Sequence, residues 1–242
     1  MLIMNCKKGI NQVLMINKDL HPHCRIARKH RLMQTLKTVP GIDDMSVLEI
    51  GCGYGYAPEY MDFRVYEGID SGKNVLTDLW KKRSATRFYN LQDVLTYTPV
   101  TQYDLVFCIG VLHHIMNDFK ALERMYLLTK PGGYCVINEP CNKNKLLQYL
   151  RGLYCKLSDD YDPRQVQYHD YVLIKMFEHV GFKDIAIKHQ GTFSTPFAEC
   201  AGLKPAWLMN WLSKLSVKAD AWIERRSWHV PTWNVIVVGR KE

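Results

Sequence analysis

The sequence lacks any apolar run of the roughly 18–20 residues that a membrane-spanning helix needs, so an integral membrane helix is not expected. It also lacks internal repeats and low-complexity stretches. Residues 1–14 mix apolar side chains with lysine and asparagine and offer no small-residue cleavage site, so we expect no signal peptide. The length of 242 residues suits one sizeable domain with a decorated end, or at most two small domains.

No Cys-x-x-Cys pair occurs among the eight cysteines, so a structural zinc site is not predicted and no bound metal is expected. Cys108 and Cys135 lie inside apolar, strand-like runs, where a free thiol usually acts as a small core side chain. This pattern fits the reducing cytoplasm, which is the location that we expect for the protein.

The net charge of +8 is concentrated in the two ends of the chain, whereas residues 47–140 are close to neutral. Basic flanks are typical of proteins that meet nucleic acid, phosphate groups or an anionic membrane, and equally of a solvated lysine-rich surface. The basic residues are scattered and form no stripe interleaved with aromatic side chains. We therefore do not expect a nucleic-acid partner, and an anionic membrane surface stays an open alternative.

Strand-like and helix-like segments alternate through the middle of the chain, which indicates a parallel sheet with helices on both faces. The predicted strands are residues 46–50, 65–69, 87–91, 105–109 and 134–138. The predicted helices are residues 20–37, 57–63, 75–82 and 118–128, the last of them stopped by Pro131-Gly132-Gly133.

After Pro140 the pattern changes to helices at 143–157, 171–180 and 203–226, a polar loop at 159–170, and strands at 184–188 and 233–238. We predict an α/β fold with a seven-stranded, mostly parallel sheet, an N-terminal helix and a helical cap inserted late in the chain. Residues 1–44 are predicted as a helical extension and residues 45–242 as the main domain, with 141–182 and 192–230 as segments that cap the substrate.

A glycine-rich turn with glycines at 51, 53 and 55 follows the first predicted strand. Such a turn lets backbone N–H groups approach a ligand at the carboxyl edge of a sheet. A dinucleotide fingerprint needs another glycine at position 56, where Tyr56 stands, and this disfavours a nicotinamide dehydrogenase. The second strand leads to Asp70, whose carboxylate can accept hydrogen bonds from both ribose hydroxyls. Together these features predict a nucleoside cofactor without a pyrophosphate.

Four motifs, in this order, resemble those of class I, Rossmann-like S-adenosylmethionine-dependent methyltransferases of the small-molecule branch. They are Val47-Leu48-Glu49-Ile50-Gly51-Cys52-Gly53-Tyr54-Gly55, Gly68-Ile69-Asp70-Ser71, the run from Asp104 to His114, and the turn from Leu127 to Gly133. The resemblance covers residues 45–140 well, and 165–190 and 230–241 more loosely. It implies S-adenosyl-L-methionine as the cofactor and says little about the methyl acceptor.

The resemblance also implies which residues meet the cofactor. Glu49 and the glycine backbone would face its methionine end, Asp70 its ribose, and Ser71 and Asp93 its adenine. The backbone after the fourth strand would lie near the methionine amine. The implied cofactor-binding set is Glu49, Gly51, Cys52, Gly53, Gly55, Asp70, Ser71, Asp93, Val94, Ile109, Gly110 and His114.

Methyl transfer from a sulfonium releases a neutral sulfide, so the protein needs to orient the acceptor and, for a hydroxyl or a protonated amine, to supply a base. Candidate bases follow the fourth and fifth strands: His113, His114 and Glu139. Adjacent histidines rarely face the same way, so we expect at most one of the pair to reach the site. Helix capping or packing is the alternative for His113. His169, just before a predicted helix, is a further candidate.

The helix predicted at 203–226 is rich in tryptophan. Ordinary packing of a cap is the simplest interpretation, and the others are a lid over an apolar acceptor, a dimer face and a membrane-surface helix.

We predict a methyltransferase that acts on an oxygen or nitrogen of a small-molecule, saccharide-like or lipid-linked acceptor. The alternative is a non-catalytic S-adenosylmethionine-binding partner or sensor. A nucleic-acid methyltransferase is disfavoured, because Ile109-Gly110-Val111-Leu112 stands where such enzymes carry an Asn/Asp-Pro-Pro-Tyr/Phe motif.

Overall fold

Seven strands form a single sheet in the order β3-β2-β1-β4-β5-β7-β6 in the computed structural model, which describes residues 18–72, 79–141, 149, 167–199, 204–226 and 230–242. Only β7 runs antiparallel to its neighbours. The strands are β1 (Ser46–Ile50), β2 (Val65–Asp70), β3 (Arg87–Leu91), β4 (Tyr103–Ile109), β5 (Thr129–Pro140), β6 (Lys183–Gln190) and β7 (Asn234–Arg240). The predicted seven-stranded, mostly parallel sheet is confirmed.

Helices cover both faces of this sheet. They are α1 (Pro22–Leu36), α2 (Ala57–Tyr60), α3 (Asp118–Leu128), α4 (Asp170–Val180), α5 (Thr195–Glu199) and α6 (Ala206–Arg225). Short 3-10 turns occur at Lys18–Leu20, Ile42–Asp44, Trp80–Lys82 and Leu112–His114. Of the described helices, none is long and apolar enough to cross a membrane.

The alternation of side chains along the central strands explains the two layers of core. In β4, Val106 and Cys108 pack with α3 and α4 on one face, whereas Leu105 and Phe107 pack with α1 and α2 on the other. All four side chains are almost fully buried. Cys108 and Cys135 are free core thiols, as the sequence predicts.

Two predicted elements differ from the observed ones. The helix predicted at 57–63 is a single turn that ends at Tyr60. Pro131-Gly132-Gly133 is not a turn between α3 and a strand but part of β5, which begins at Thr129. A Cβ at position 133 would lie 2.8 Å from the carbonyl oxygen of Asp104, so glycine permits the extended chain to run this close to β4. The helix predicted at 143–157, except residue 149, and much of the one at 75–82 lie outside the described residues.

The N-terminal helix α1 shares the core of the main sheet. Leu32 and Leu36 are buried in the same cluster as the side chains of β1 and β4. A buried hydrogen bond of 2.7 Å also joins Thr35 to the amide of Asn138 in β5. The boundary predicted at residue 44 therefore separates two segments that share one hydrophobic core. The two predicted substrate-cap segments, 141–182 and 192–230, stay predictions.

Helix α6 lies outside α1 and turns its small and polar side chains inward. Ser213 donates a hydrogen bond of 2.7 Å to the carbonyl oxygen of His23 in α1. Asp220, 1% exposed, accepts hydrogen bonds from the backbone N–H groups of Phe193 and Ser194 and from the Ser194 hydroxyl, at 2.9, 2.9 and 2.6 Å. This carboxylate fixes the segment that leads into α5.

The substitution Asp220→Ala tests this anchor. It leaves two backbone donors and a hydroxyl buried without their acceptor, so the free energy of unfolding in urea should fall by about 2–4 kcal/mol. The matched control is Lys218→Ala on the exposed side of the same helix, which should change stability by less than about 0.5 kcal/mol. Equal effects of the two substitutions would contradict the assigned role of Asp220.

Candidate active site

The glycine loop connects β1 to α2 at the carboxyl edge of the sheet, beside the end of β2. Gly51, Gly53 and Gly55 have φ angles of 67°, 51° and 62°, in the left-handed region that favours glycine. The half-buried carboxylate of Asp70 accepts hydrogen bonds from the N–H groups of Gly53 and Gly72, at 2.9 and 2.7 Å. The loop and the acid predicted from the sequence therefore lie side by side.

The three glycines differ in what surrounds them. A Cβ at Gly51 would lie 2.4 Å from a methyl carbon of Val111, and one at Gly55 would lie 2.4 Å from the ring of Tyr89. At Gly53 nothing lies within 4 Å of the same position. Gly51 and Gly55 thus permit close packing of the loop, whereas Gly53 borders open space next to Asp70, where a ligand can approach the backbone.

Glu49 and Cys52 lie on the inner side of this loop. The hydroxyl of Tyr66 donates a hydrogen bond to the Glu49 carboxylate, and burial together with the charge of Glu49 raises the pKa of Tyr66 well above its ordinary value. Cys52 is buried against Gly68, and burial raises the pKa of its thiol. Their side chains stabilise the underside of the loop.

The remaining residues of the predicted adenine side follow β2 and β3 at the same edge. Ser71 is exposed directly after β2, and Asp93 is exposed two residues after β3. The Asp93 carboxylate accepts the N–H of Leu95 at 2.8 Å, and Val94 is buried. Asp70, Ser71, Asp93 and Val94 therefore lie at one edge of the sheet, because the parallel strands β2 and β3 bring their carboxyl ends together.

Glu139 lies fully buried near the end of β5, where it holds the segment after β4. One carboxylate oxygen accepts the N–H groups of Val111 and Leu112 at 3.0 and 2.8 Å, and the other lies 2.6 Å from Nδ1 of His113. Burial alone would raise the pKa of Glu139, but these hydrogen bonds and the charge of His113 outweigh it and hold the pKa below its ordinary value. The carboxylate has no exposed surface and so cannot reach an acceptor directly.

His113 and His114 contact each other, with ring centroids 4.0 Å apart. The 3-10 turn at 112–114 brings the two rings together, and the expectation that at most one of them reaches the site stays a prediction. The His113 side chain is 6% exposed, whereas His114 is exposed to solvent. Desolvation and the neighbouring His113 lower the pKa of His114 below its ordinary value, so the imidazole is neutral at pH 7.

His169 is the residue that precedes α4, and it is exposed. Its neighbour Tyr168 bridges to Cys141 and donates a hydrogen bond of 2.8 Å from its hydroxyl to Asp118. The N–H of Tyr168 also bonds to the carbonyl oxygen of Pro140 at 3.0 Å, which places this segment beside the end of β5. His169 thus lies at the same edge of the sheet as Glu139.

Sequence patterns gave no indication of Arg31, which reaches over this edge from α1. Its guanidinium donates to the side-chain and backbone oxygens of Asn138, both at 3.3 Å, and pairs with Glu199 at 3.1 Å. The same carbonyl oxygen of Asn138 accepts the N–H of Gly110 at 2.8 Å. Lys18 is the second cation on Glu199, at 2.8 Å, and both charges lower the pKa of this carboxylate.

Arg31 also borders the backbone of Ile109 and Gly110, which the motif resemblance places near the methionine amine of the cofactor. Ile109 ends β4 and is half-buried, and Gly110 follows it with a φ of 66°. A Cβ at Gly110 would lie 3.2 Å from the Arg31 guanidinium. Glycine therefore permits the backbone, the arginine and the end of β5 to meet in a small space.

Comparison with known proteins agrees with this geometry. The family model described as "Methyltransferase domain" matches residues 24–187, well over half of the chain. The chain belongs to the methyltransferase domain family. This confirms the class that the motifs indicate, and the matched residues include most of α1 and strands β1 to β5.

Curated relatives of this methyltransferase-family protein include the ubiquinone biosynthesis O-methyltransferases of Psychrobacter cryohalolentis and Vibrio vulnificus. The first is 32% identical over 112 residues, 40% of this chain and 42% of the relative. The second is 29% identical over 121 residues, 47% of this chain and 51% of the relative. The matches therefore span about half the length of these relatives.

Solved structures share the fold at lower identity. A phosphoethanolamine N-methyltransferase 2 of Haemonchus contortus in complex with S-adenosyl-L-methionine has a TM-score of 0.58 at 18% identity, over 87% of this chain and 52% of that chain. A magnesium protoporphyrin IX methyltransferase of Synechocystis with bound S-adenosylhomocysteine has a TM-score of 0.59 at 16% identity, over 97% of this chain and 90% of that chain.

The packing of the loop can be tested with Gly51→Ala and the matched control Gly41→Ala. Both glycines have a φ of 67°, but only a Cβ at Gly51 would collide with Val111, since nothing lies within 4 Å of one at Gly41. Gly41→Ala should lower the free energy of unfolding by about 1–2 kcal/mol through backbone strain alone. Gly51→Ala should cost about 1–3 kcal/mol more, measured by urea denaturation, because the collision adds to the strain. Equal losses would show that the loop does not pack on Val111 as described.

Proposed function

We propose that this protein is an S-adenosylmethionine-dependent methyltransferase that methylates an oxygen or nitrogen atom of a small-molecule acceptor. The observation that carries the proposal is the open space at Gly53, beside Asp70 and one strand away from the Glu139–His113–His114 cluster. A ligand-accessible glycine loop and a titratable cluster at one sheet edge are the two parts that methyl transfer requires.

The residues present fit S-adenosylmethionine. Asp70 retains acceptor capacity for ribose hydroxyls beyond its two backbone hydrogen bonds. The cradle would consist of the backbone at Gly51, Gly53 and Gly110, with Ser71 and Asp93 on the adenine side. When bound, the cofactor supplies an electrophilic methyl group on a positively charged sulfur.

We assign the base to His114. This side chain is exposed at the site, and its lowered pKa leaves it neutral and able to accept a proton from an acceptor hydroxyl near pH 7. His113 and Glu139 act as positioning residues, because the buried carboxylate orients His113 and the His113 ring contacts that of His114. Arg31 from α1 closes the side of Gly110 and helps to exclude water.

An oxygen acceptor is favoured over nitrogen, because the matched curated relatives are O-methyltransferases and a hydroxyl needs the base that His114 can supply. Saccharide-like and lipid-linked hydroxyl compounds are the two versions of this acceptor that we put forward. A cytoplasmic location is part of the same proposal. The non-catalytic alternative, a cofactor-binding sensor, requires neither a base nor its positioning, and it is disfavoured by the Glu139–His113–His114 cluster.

Cofactor binding is tested by titration calorimetry of the wild type and Asp70→Ala with S-adenosylmethionine and S-adenosylhomocysteine. Loss of the charged acceptor should weaken both affinities on the order of 100-fold, since hydrogen bonds to charged groups contribute about 1.5–3 kcal/mol each. The exposed acid Asp62, changed to alanine, is the matched control and should leave binding unchanged. Wild-type affinity in Asp70→Ala would overturn the assignment of this acid, and no binding by the wild type would overturn the proposed function.

The base is tested by the pH dependence of methyl transfer to a panel of hydroxylated acceptors, followed by release of S-adenosylhomocysteine. Neutral His114 is the active form, so kcat should fall as the pH drops through a pKa below the ordinary value of 6.5. His114→Gln should abolish this acid limb and lower kcat about 10²–10⁴-fold with little change in cofactor affinity. An unchanged profile in the variant would rule out His114 as the base. Turnover of no acceptor despite cofactor binding would favour the sensor.

A further inference from the structure

Helix α6 presents its three tryptophans and Leu215 to solvent, whereas its other large apolar side chains are partly buried. Ser213, Ser216 and Asp220 are buried against the rest of the molecule. Trp207, Trp211, Leu215 and Trp222 are 72%, 58%, 50% and 45% exposed. Surface helices usually bury their largest apolar side chains, so the exposure of three tryptophans on one helix is unusual.

The exposed side chains form one continuous face. At 3.6 residues per turn, positions 207, 211, 215, 218 and 222 fall on the same side of the helix, and the helix is about 30 Å long. Among the described residues the tryptophans lie on the side of α6 away from α1, which disfavours a lid over an acceptor. We call this the tryptophan face; it consists of Trp207, Trp211, Lys214, Leu215, Lys218, Trp222 and Arg225.

The charge on the tryptophan face has a single sign. Lys214, Lys218 and Arg225 are exposed among the aromatic side chains. The two carboxylates of the helix both point inward. Asp220 accepts hydrogen bonds from the N–H groups of Phe193 and Ser194, and the Glu224 carboxylate, 8% exposed, lies 3.7 Å from the His30 ring of α1. Arg226, one residue beyond the helix, lies 4.1 Å above the Trp222 ring and extends the basic area.

This combination selects among the partners that could cover such a face. A second copy of the chain, paired symmetrically through α6, would place these cations opposite one another without a carboxylate on the face to neutralise them. An anionic lipid surface instead offers negative phosphates to the lysines and an interfacial layer that suits the indole rings. Tryptophan is enriched at such interfaces because its ring is apolar and its N–H can remain hydrated.

We propose that the tryptophan face of α6 docks the protein onto a bilayer surface rich in anionic phospholipid. The helix lies in the plane of the surface, the tryptophans enter the headgroup layer and the cations contact phosphates. This inference rests on α6 alone and does not depend on the proposed reaction. Docking through the tryptophan face would bring the candidate active site near acceptors that partition into lipid.

The contacts of α6 also connect the docking face to the candidate active site. Asp220 holds Ser194, which precedes α5, and α5 ends with Glu199, the partner of Arg31 beside Gly110. The helix that meets the lipid therefore stabilises the segment that carries one wall of the site. Docking through α6 would therefore set how this α5 segment, with Glu199, is oriented relative to the bilayer.

Co-sedimentation of the full chain with vesicles tests the proposal. We expect binding to equimolar phosphatidylcholine and phosphatidylglycerol and little binding to phosphatidylcholine alone, with affinity falling as salt increases. The double variant Trp207→Ser/Trp211→Ser should bind at least about tenfold more weakly, because the indoles supply the apolar contact. Lys214→Glu/Lys218→Glu should remove the preference for phosphatidylglycerol.

The matched control is Leu127→Ser/Lys120→Glu on α3, which replaces an exposed apolar side chain and an exposed lysine on the opposite face of the sheet. It should bind vesicles as the wild type does. The proposal is overturned if the wild type binds neither kind of vesicle, or if the control loses as much affinity as the α6 variants. It is also overturned if light scattering shows a wild-type dimer that Trp207→Ser/Trp211→Ser converts to monomers, because a second copy then occupies the face.

Discussion

A buried carboxylate near the end of β5 connects the scaffold to the candidate site. Glu139 has no exposed surface, and a buried charge of this kind is stable only when donors surround it. Two backbone N–H groups after β4 and the ring of His113 are those donors. The carboxylate thereby fixes the turn at 112–114, the direction of His113 and, through ring contact, the place of His114. Without Glu139 the segment after β4 would lose the acceptor of two backbone N–H groups and the partner of His113.

Local patterns were enough to predict the sheet and the proximity of the glycine loop to Asp70. β1 and β3 begin and end at the predicted residues. In β1 the apolar run sets these bounds, because strands buried on both faces of a parallel sheet are short and apolar. The glycine loop and Asp70 lie at successive strand ends, and parallel strands bring such ends to one edge. The same argument placed His113 and Glu139 together, although it assigned Glu139 to the chemistry and the structure places it under the turn.

Contacts between distant segments could not be predicted in this way. Arg31 is one of several basic residues in α1, and only the packing of that helix brings it to Asn138, 107 positions later. Glu199 belongs to a helix of five residues with no periodicity to recognise. The orientation of α6 could not be predicted from the sequence pattern either. Tryptophans at helical spacing usually indicate a buried stripe, whereas here the buried residues are Ser213, Ser216 and Asp220.

The central claim is that Glu139 is ionised and accepts a hydrogen bond from a proton on Nδ1 of His113, which fixes the direction of the His113 ring. Nitrogen NMR of histidine-labelled protein at neutral pH tests this directly, with the His113 signals assigned from the variant His113→Gln. The account predicts a proton on Nδ1 in the wild type, and loss of the preference for this nitrogen in Glu139→Gln. A proton on Nε2 alone, or an unchanged tautomer in Glu139→Gln, would contradict it.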